Sequence, residues 1–135
     1  MAFVIDASVV GCWAFDVEHH PIASDARERI RHEEAHAPSL WWYEVRNTLL
    51  VSERRGRIAE AAVADFLRSL AQLPIRIDIQ PVEPKLMDVA RRHRLSVYDA
   101  AYLELAKRIG LPLATLDDDL RKAARVKGSP LVEEA

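Results

Sequence analysis

Short apolar runs alternating with longer stretches of helical period constrain this chain more than any other feature. AFVID, at Ala2 to Asp6, is an apolar run closed by an aspartate, and LPLATLD, at Leu111 to Asp117, repeats that arrangement near the other end. Unbroken apolar runs of this length suit strands buried on both faces of a parallel sheet. Between them the spacing predicts helices over Ser8 to Phe15, Pro21 to Arg31, Ser39 to Gly56, Ala59 to Leu73, a segment carrying Leu86, Val89, Ala90 and His93, and Ser96 to Ile109. Pro21 fits a first helical turn, and Gly56 and Gly110 fit helix stops. Ile75, Ile77 and Ile79 alternate with Arg76, Asp78 and Gln80, a period of two that predicts a half-exposed strand at a sheet edge. A short strand before Pro38, a last helix over Asp117 to Val126, and a terminal strand in PLVEE complete the pattern. Strands alternating with helices imply an α/β fold, with a parallel sheet built from right-handed crossovers.

With 135 residues, half of them apolar, the chain is expected to form one domain spanning residues 1–135. Its 19 basic and 21 acidic residues leave a formal net charge of -2, so no global basic field draws it to nucleic acid. Contact with a polyanion has to come from local patches. A lone Cys12 excludes an intrachain disulfide framework and a CxxC zinc site, and suits a reducing cytoplasm. No run approaches the roughly eighteen apolar residues of a membrane helix, so no membrane association is expected.

HEEAH, His32 to His36, matches the zinc-protease pattern H-E-x-x-H letter for letter. That chemistry needs both histidines on one helical face, Glu33 as base and a third ligand from elsewhere. Here Pro38 disfavours helix at Ala37 and the flanks are charged, so the segment reads as a helix end running into a strand, its histidines facing solvent.

The carboxylates form a better-supported group. In a parallel α/β sheet the strand C-termini share one rim, where ligands bind, so Asp6 and Asp117 become neighbours. Each also has a plain alternative as a helix cap, and Ser96 with Asp99, or Thr115 with Asp118, resembles a capping box. Glu44 and Asp99 resist that reading because they lie within apolar helical stretches, WWYEV and VYDAAYLEL. Burying a carboxylate costs several kcal/mol unless its charge is compensated. A metal ion does this directly; an arginine, or a hydrogen bond from Asn47 or Tyr102, is the structural alternative. Several oxygen ligands with no Cys or His describe a hard-cation site.

DAS at Asp6 to Ser8, Pro38 followed by Glu44 and Asn47, YDAAY at Tyr98 to Tyr102, and ATLDDDL at Ala114 to Leu120 together resemble the four acidic blocks of PIN-domain ribonucleases. Their order and the chain's size are most similar to the VapC-type toxins of toxin–antitoxin pairs. The resemblance implies a PIN-like fold and an endoribonuclease dependent on Mg2+ or Mn2+. Asp6, Glu44, Asp99 and Asp117 would be its catalytic and metal-binding acids. Ser8 and Thr115 would support the pocket, Asn47 would steady Glu44, and Asp119 would be an auxiliary ligand. It further implies an RNA substrate, a homodimer, and a cognate antitoxin protein lying in a groove beside the acids, for which the helices of Ser39 to Leu73 are the natural walls.

Arg46, expected near the acids, and the clusters Arg54, Arg55, Arg57 and Arg91, Arg92, Arg94, are candidates to hold an RNA backbone; solvated helix ends explain the clusters equally well. Trp13, Trp41, Trp42 and Tyr43 read as core or interface residues rather than base-stacking platforms. Two other function classes remain beside the nuclease. A non-catalytic module of the same fold would act through a partner, and a receiver-type or phosphoryl-transfer domain would share the acidic rim. The second lacks a P-loop or GxGxxG and leaves Glu44 and Asp99 unexplained.

Overall fold

Strand β1, Phe3–Ile5, is completely buried and lies between two parallel neighbours, as its unbroken apolar sequence requires. The computed structural model describes residues 2–15, 20–126, 128 and 130–132. Among these, β2 (Ala35–Pro38), β3 (Ile75–Asp78) and β4 (Leu113–Ala114) complete a sheet of order β3-β2-β1-β4 with every pairing parallel. Val4 faces His36 on one side and Leu113 on the other, and Asp6 N–H donates to the Ala114 carbonyl at 2.9 Å. This register brings the ends of β1 and β4 together.

The helices are α1 (Ala7–Trp13), α2 (Pro21–Arg29), α3 (Leu40–Arg54), α4 (Glu60–Leu70), α5 (Glu83–His93), α6 (Val97–Ile109) and α7 (Asp118–Val126). Each corresponds to an expected segment with boundaries moved by a few residues. β3 is the edge strand, as expected, but its burial does not alternate with the sequence: Ile77 is 38% exposed while Asp78, held by Arg108, is half-buried. Leu131 of PLVEE makes only an isolated parallel bridge to Leu113, while Glu133 and Glu134 lie outside the described residues. No helix among the described residues is long and apolar enough to cross a membrane.

Helix α6 runs through the centre of the molecule: every residue from Ala100 to Ala106 is buried, Glu104 included. It packs against α5, α7, β1 and β2, so the first turn of α6 is held over the rim. Ser96 caps that turn through its Oγ, which accepts from Asp99 N–H at 3.1 Å, and Gly110 closes the far end in the left-handed conformation. Helix α5 ends without a glycine, because Arg94 itself adopts φ 52°. On the other flank α1 packs against α3 at Gly11, where an added Cβ would sit 3.4 Å from Thr48 Cγ2.

HEEAH is not a helix. His32 lies in a turn after α2 with its side chain 76% exposed, whereas His36 is in β2 and only 26% exposed, paired at 3.8 Å with Glu34. Strand geometry separates the two histidines that a zinc site would need on one helical face. The expectation of solvent-facing histidines therefore holds for His32 and fails for His36, whose alternate position in the strand turns it toward the sheet's flank.

Candidate active site

Asp6 occupies the N-cap position of α1, yet its side chain caps nothing. Its Oδ2 instead accepts from Ser8 Oγ and Thr115 Oγ1, both at 2.7 Å, although the carboxyl is only 8% exposed. Both hydroxyls are anchored in turn. Ser8 Oγ accepts from Leu116 N–H at 3.1 Å, and Thr115 Oγ1 accepts from Asp117 N–H at 3.0 Å. The ends of β1 and β4 are thus stitched together through one carboxylate oxygen, which explains a threonine and a serine at these positions better than capping does.

Glu44 reaches the same rim from α3 and is half-buried. Tyr102 of α6 donates its hydroxyl to Glu44 Oε1 at 2.5 Å. The support expected from Asn47 comes from this tyrosine instead: Asn47 is exposed, and no hydrogen bond joins it to Glu44 among the described residues. Burial, the Asp6 charge and the bond to Glu44 push the Tyr102 phenol strongly up, so it remains a donor at every physiological pH. Tyr102→Phe is expected to cost about 1.5 to 3 kcal/mol, the usual worth of a hydrogen bond to a charged group, as read from urea unfolding midpoints.

Asp99 stands in the first turn of α6, and Asp117 and Asp119 flank the start of α7. Asp117 Oδ1 accepts from Leu120 N–H at 2.9 Å, so this acid does cap its helix while its charge acts on Asp99. The carboxyls of Asp6, Glu44 and Asp99 are all raised above their ordinary range. Burial is the first cause at each. Asp99 then raises Asp6; Asp6 and Asp99 raise Glu44; Asp117 and Asp119 raise Asp99, while hydroxyl hydrogen bonds oppose the shift at each site. Among the described residues, no lysine or arginine acts on these three groups. The rim therefore gathers carboxyl groups, with Arg121 alongside: its Nη1 donates to the Thr115 carbonyl at 3.2 Å.

Arg46 is not brought to these acids. Residues two apart on a helix point to different sides, and Arg46 leaves Glu44 to stack on Trp42, its Cζ 3.8 Å from the ring centroid, with Nη1 donating to the Trp42 carbonyl at 3.1 Å. Burial alone lowers its pKa, with no acid acting on it. Arg54, Arg55, Arg91 and Arg94 are exposed, Arg92 pairs with Asp88 at 3.0 Å, and Arg57 lies over the Phe15 ring at 4.7 Å. Among the aromatics, Trp41 is core and Trp13 donates to the Ala23 carbonyl, but Trp42 and Tyr43 stay 46% and 70% exposed.

Among the described residues, no three acidic, histidine or cysteine side chains already close around a point where an ion would sit. The donor set nevertheless suits magnesium or manganese, since it is all oxygen and carries excess negative charge. Magnesium also needs few protein ligands, because it retains waters and takes phosphate oxygens from its substrate.

The chain belongs to the PIN-domain family, whose model matches residues 3–126. Relatives that it matches within that family include VapC proteins. Ribonuclease VapC3 of Pyrobaculum aerophilum is 33% identical over 123 residues, which are 89% of this chain and 92% of the relative. Exonuclease VapC9 of the same organism is 30% identical, over 97% of this chain and 90% of the relative. A crystal structure of a Pyrobaculum aerophilum protein superposes with a TM-score of 0.72 at 26% identity, covering 91% of this chain and 84% of that one.

Proposed function

We propose that the chain is a Mg2+- or Mn2+-dependent endoribonuclease, the toxin of a type II toxin–antitoxin pair, with Asp6, Glu44, Asp99 and Asp117 as its catalytic and metal-holding acids. The observation that carries this is the convergence of Asp6, Glu44 and Asp99 from three elements on one rim, each raised by burial and by the charge of neighbouring aspartates. Such an arrangement disfavours an empty folded state and favours one that holds a cation. Bound there, the cation would neutralise the phosphodiester and acidify the attacking water.

The protein's own groups do the positioning. Ser8 and Thr115 fix one Asp6 oxygen and leave the other carboxylate oxygen free of their hydroxyls. Tyr102 orients Glu44, and the α7 backbone orients Asp117. Asp119 is the auxiliary acid, adding charge beside Asp99. Asn47, exposed on the Glu44 face of α3, would meet RNA rather than the buried carboxyl. Arg46 would hold backbone only where a strand crosses the far flank of α3.

The α3–α4 hairpin is the surface proposed for the antitoxin. Trp42, Tyr43 and Leu50 are exposed on α3, and only Leu70 of α4 is buried. Homodimerisation completes the proposal.

Purified protein is expected to cut RNA internally with Mg2+ or Mn2+ and to stop in EDTA, with selective zinc chelation having no effect. Mg2+ should also raise the melting temperature by several degrees, since a ligand binding only the folded state stabilises it. Mapping RNA ends separates internal cuts from degradation inward from a terminus. Expression should arrest growth, with rescue by the neighbouring open reading frame. Arrest that persists in Asp99→Asn would instead support a non-catalytic module acting through a partner.

A further inference from the structure

Beside the acids, on the same rim, a cavity of about 210 Å³ opens between the C-terminal ends of β2 and β3 and the start of α6. Leu40, Leu86 and Tyr98 supply apolar and aromatic wall. Tyr98 is 66% exposed and directly precedes Asp99 in the first turn of α6. Ser39 also lines the cavity; it stands at the N-cap of α3 but makes no capping bond, which leaves its hydroxyl available.

The remaining polar lining is two carboxylates, Asp78 and the 2% exposed Glu104, both gripped by Arg108. Two carboxylates against one guanidinium leave the triad net negative, and since all four carboxylate oxygens already accept from Arg108, it is Asp78, 23% exposed, and not the buried Glu104 that offers a remaining lone pair to the cavity. A carboxylate also has more acceptor sites than one arginine fills. Such a surface repels phosphate and accepts N–H donors, while the open tyrosine ring offers a stacking face.

We propose that this cavity is a subsite for an unpaired nucleobase bearing an exocyclic amino group, adenine, cytosine or guanine in preference to uracil. The base belongs to the strand whose phosphate lies at Asp99, so the inference rests on the nuclease reading. Tyr98 stacks on the base and selects substrate; it does not perform the chemistry.

With Mg2+, the wild-type chain should enrich amino-bearing bases at one fixed position beside the cut. Tyr98→Ala should erase that preference and raise KM about tenfold, the usual worth of one base–aromatic stack, with kcat nearly unchanged. Tyr98→Phe should retain both properties, because stacking needs only the ring. Independently of cleavage, AMP, CMP and GMP should shift the Tyr98 ring resonances more than UMP does. Equal or absent nucleotide shifts, or an unchanged KM and base preference in Tyr98→Ala, would overturn the subsite. So would a change in native mass on Tyr98→Ala, which would mark the surface as a protein interface. Failure of the nuclease reading looks different: the wild type cuts no RNA, and the nucleotide shifts then decide the subsite alone.

Discussion

Replacing Asp99 by asparagine is expected to abolish RNA cleavage while making the metal-free protein harder to melt. The first effect follows from the geometry, since Asp99 is the acid on which Asp117 and Asp119 act and which acts in turn on Asp6 and Glu44. Removing one charged group from a preorganised site costs about a hundredfold in kcat or more. The opposite effect on stability follows from the direction of the shifts. A carboxyl raised in the folded chain binds its proton more tightly there than when unfolded. Its ionisation therefore opposes folding, and stability is lost as pH rises from the unfolded range through the folded one.

Asparagine removes both that penalty and the repulsion on Asp6 and Glu44. The cap of α6 survives, because Ser96 Oγ accepts from the backbone N–H of residue 99, and asparagine keeps a side-chain oxygen for the Ser96 hydroxyl. Calorimetry in EDTA should find the variant melting a few degrees above wild type, with less gain as pH is lowered. In Mg2+ the order should reverse. A variant that melts lower than wild type in EDTA would show that Asp99 is a structural residue rather than a charge kept for a ligand.

What could be read from the sequence follows the range of the physics involved. Strands, helices and the edge position of β3 were legible because a period of two or of 3.6 is a local property. The meeting of the β1 and β4 ends, with Asp6 and the Asp117 backbone joined through Thr115, was legible too, because parallel topology forces strand ends onto one rim. Glu44 and Asp99 stood out through their apolar neighbours. Arg46 shows the limit: nearness in sequence suggested nearness to the acids, but a two-residue step on a helix carries a side chain to another flank. The choice between Asn47 and Tyr102 as the partner of Glu44 depended on how α3 and α6 pack, which no local pattern encodes. In WWY, residues 41 to 43, the helix buries only Trp41 and leaves the other two for solvent or a partner. Glu104 escaped notice altogether. Its signal was present as an i,i+4 pairing with Arg108 inside an apolar helix, but its third member, Asp78, comes from a distant strand.

That triad supports the second large effect. Arg108 donates to Glu104 through Nε at 2.8 Å and to Asp78 through Nη2 at 2.7 Å, and these two carboxylates push its own pKa up. Surface ion pairs are worth little, but Glu104 is 2% exposed. Arg108→Met would strand that carboxylate without its counter-charge, at an expected cost of about 3 to 5 kcal/mol. For a domain whose total stability is about 5 to 15 kcal/mol, this approaches unfolding. The cost should come from the stranded charge and not from loss of attraction as such. Glu104→Leu combined with Arg108→Met should therefore recover most of it, leaving Asp78 to be rehydrated at the edge of β3. Urea midpoints of the single and double variants separate the two accounts. A single variant that loses less than about 1 kcal/mol would mean that the triad behaves as a surface pair, with water reaching Glu104 through the cavity it lines.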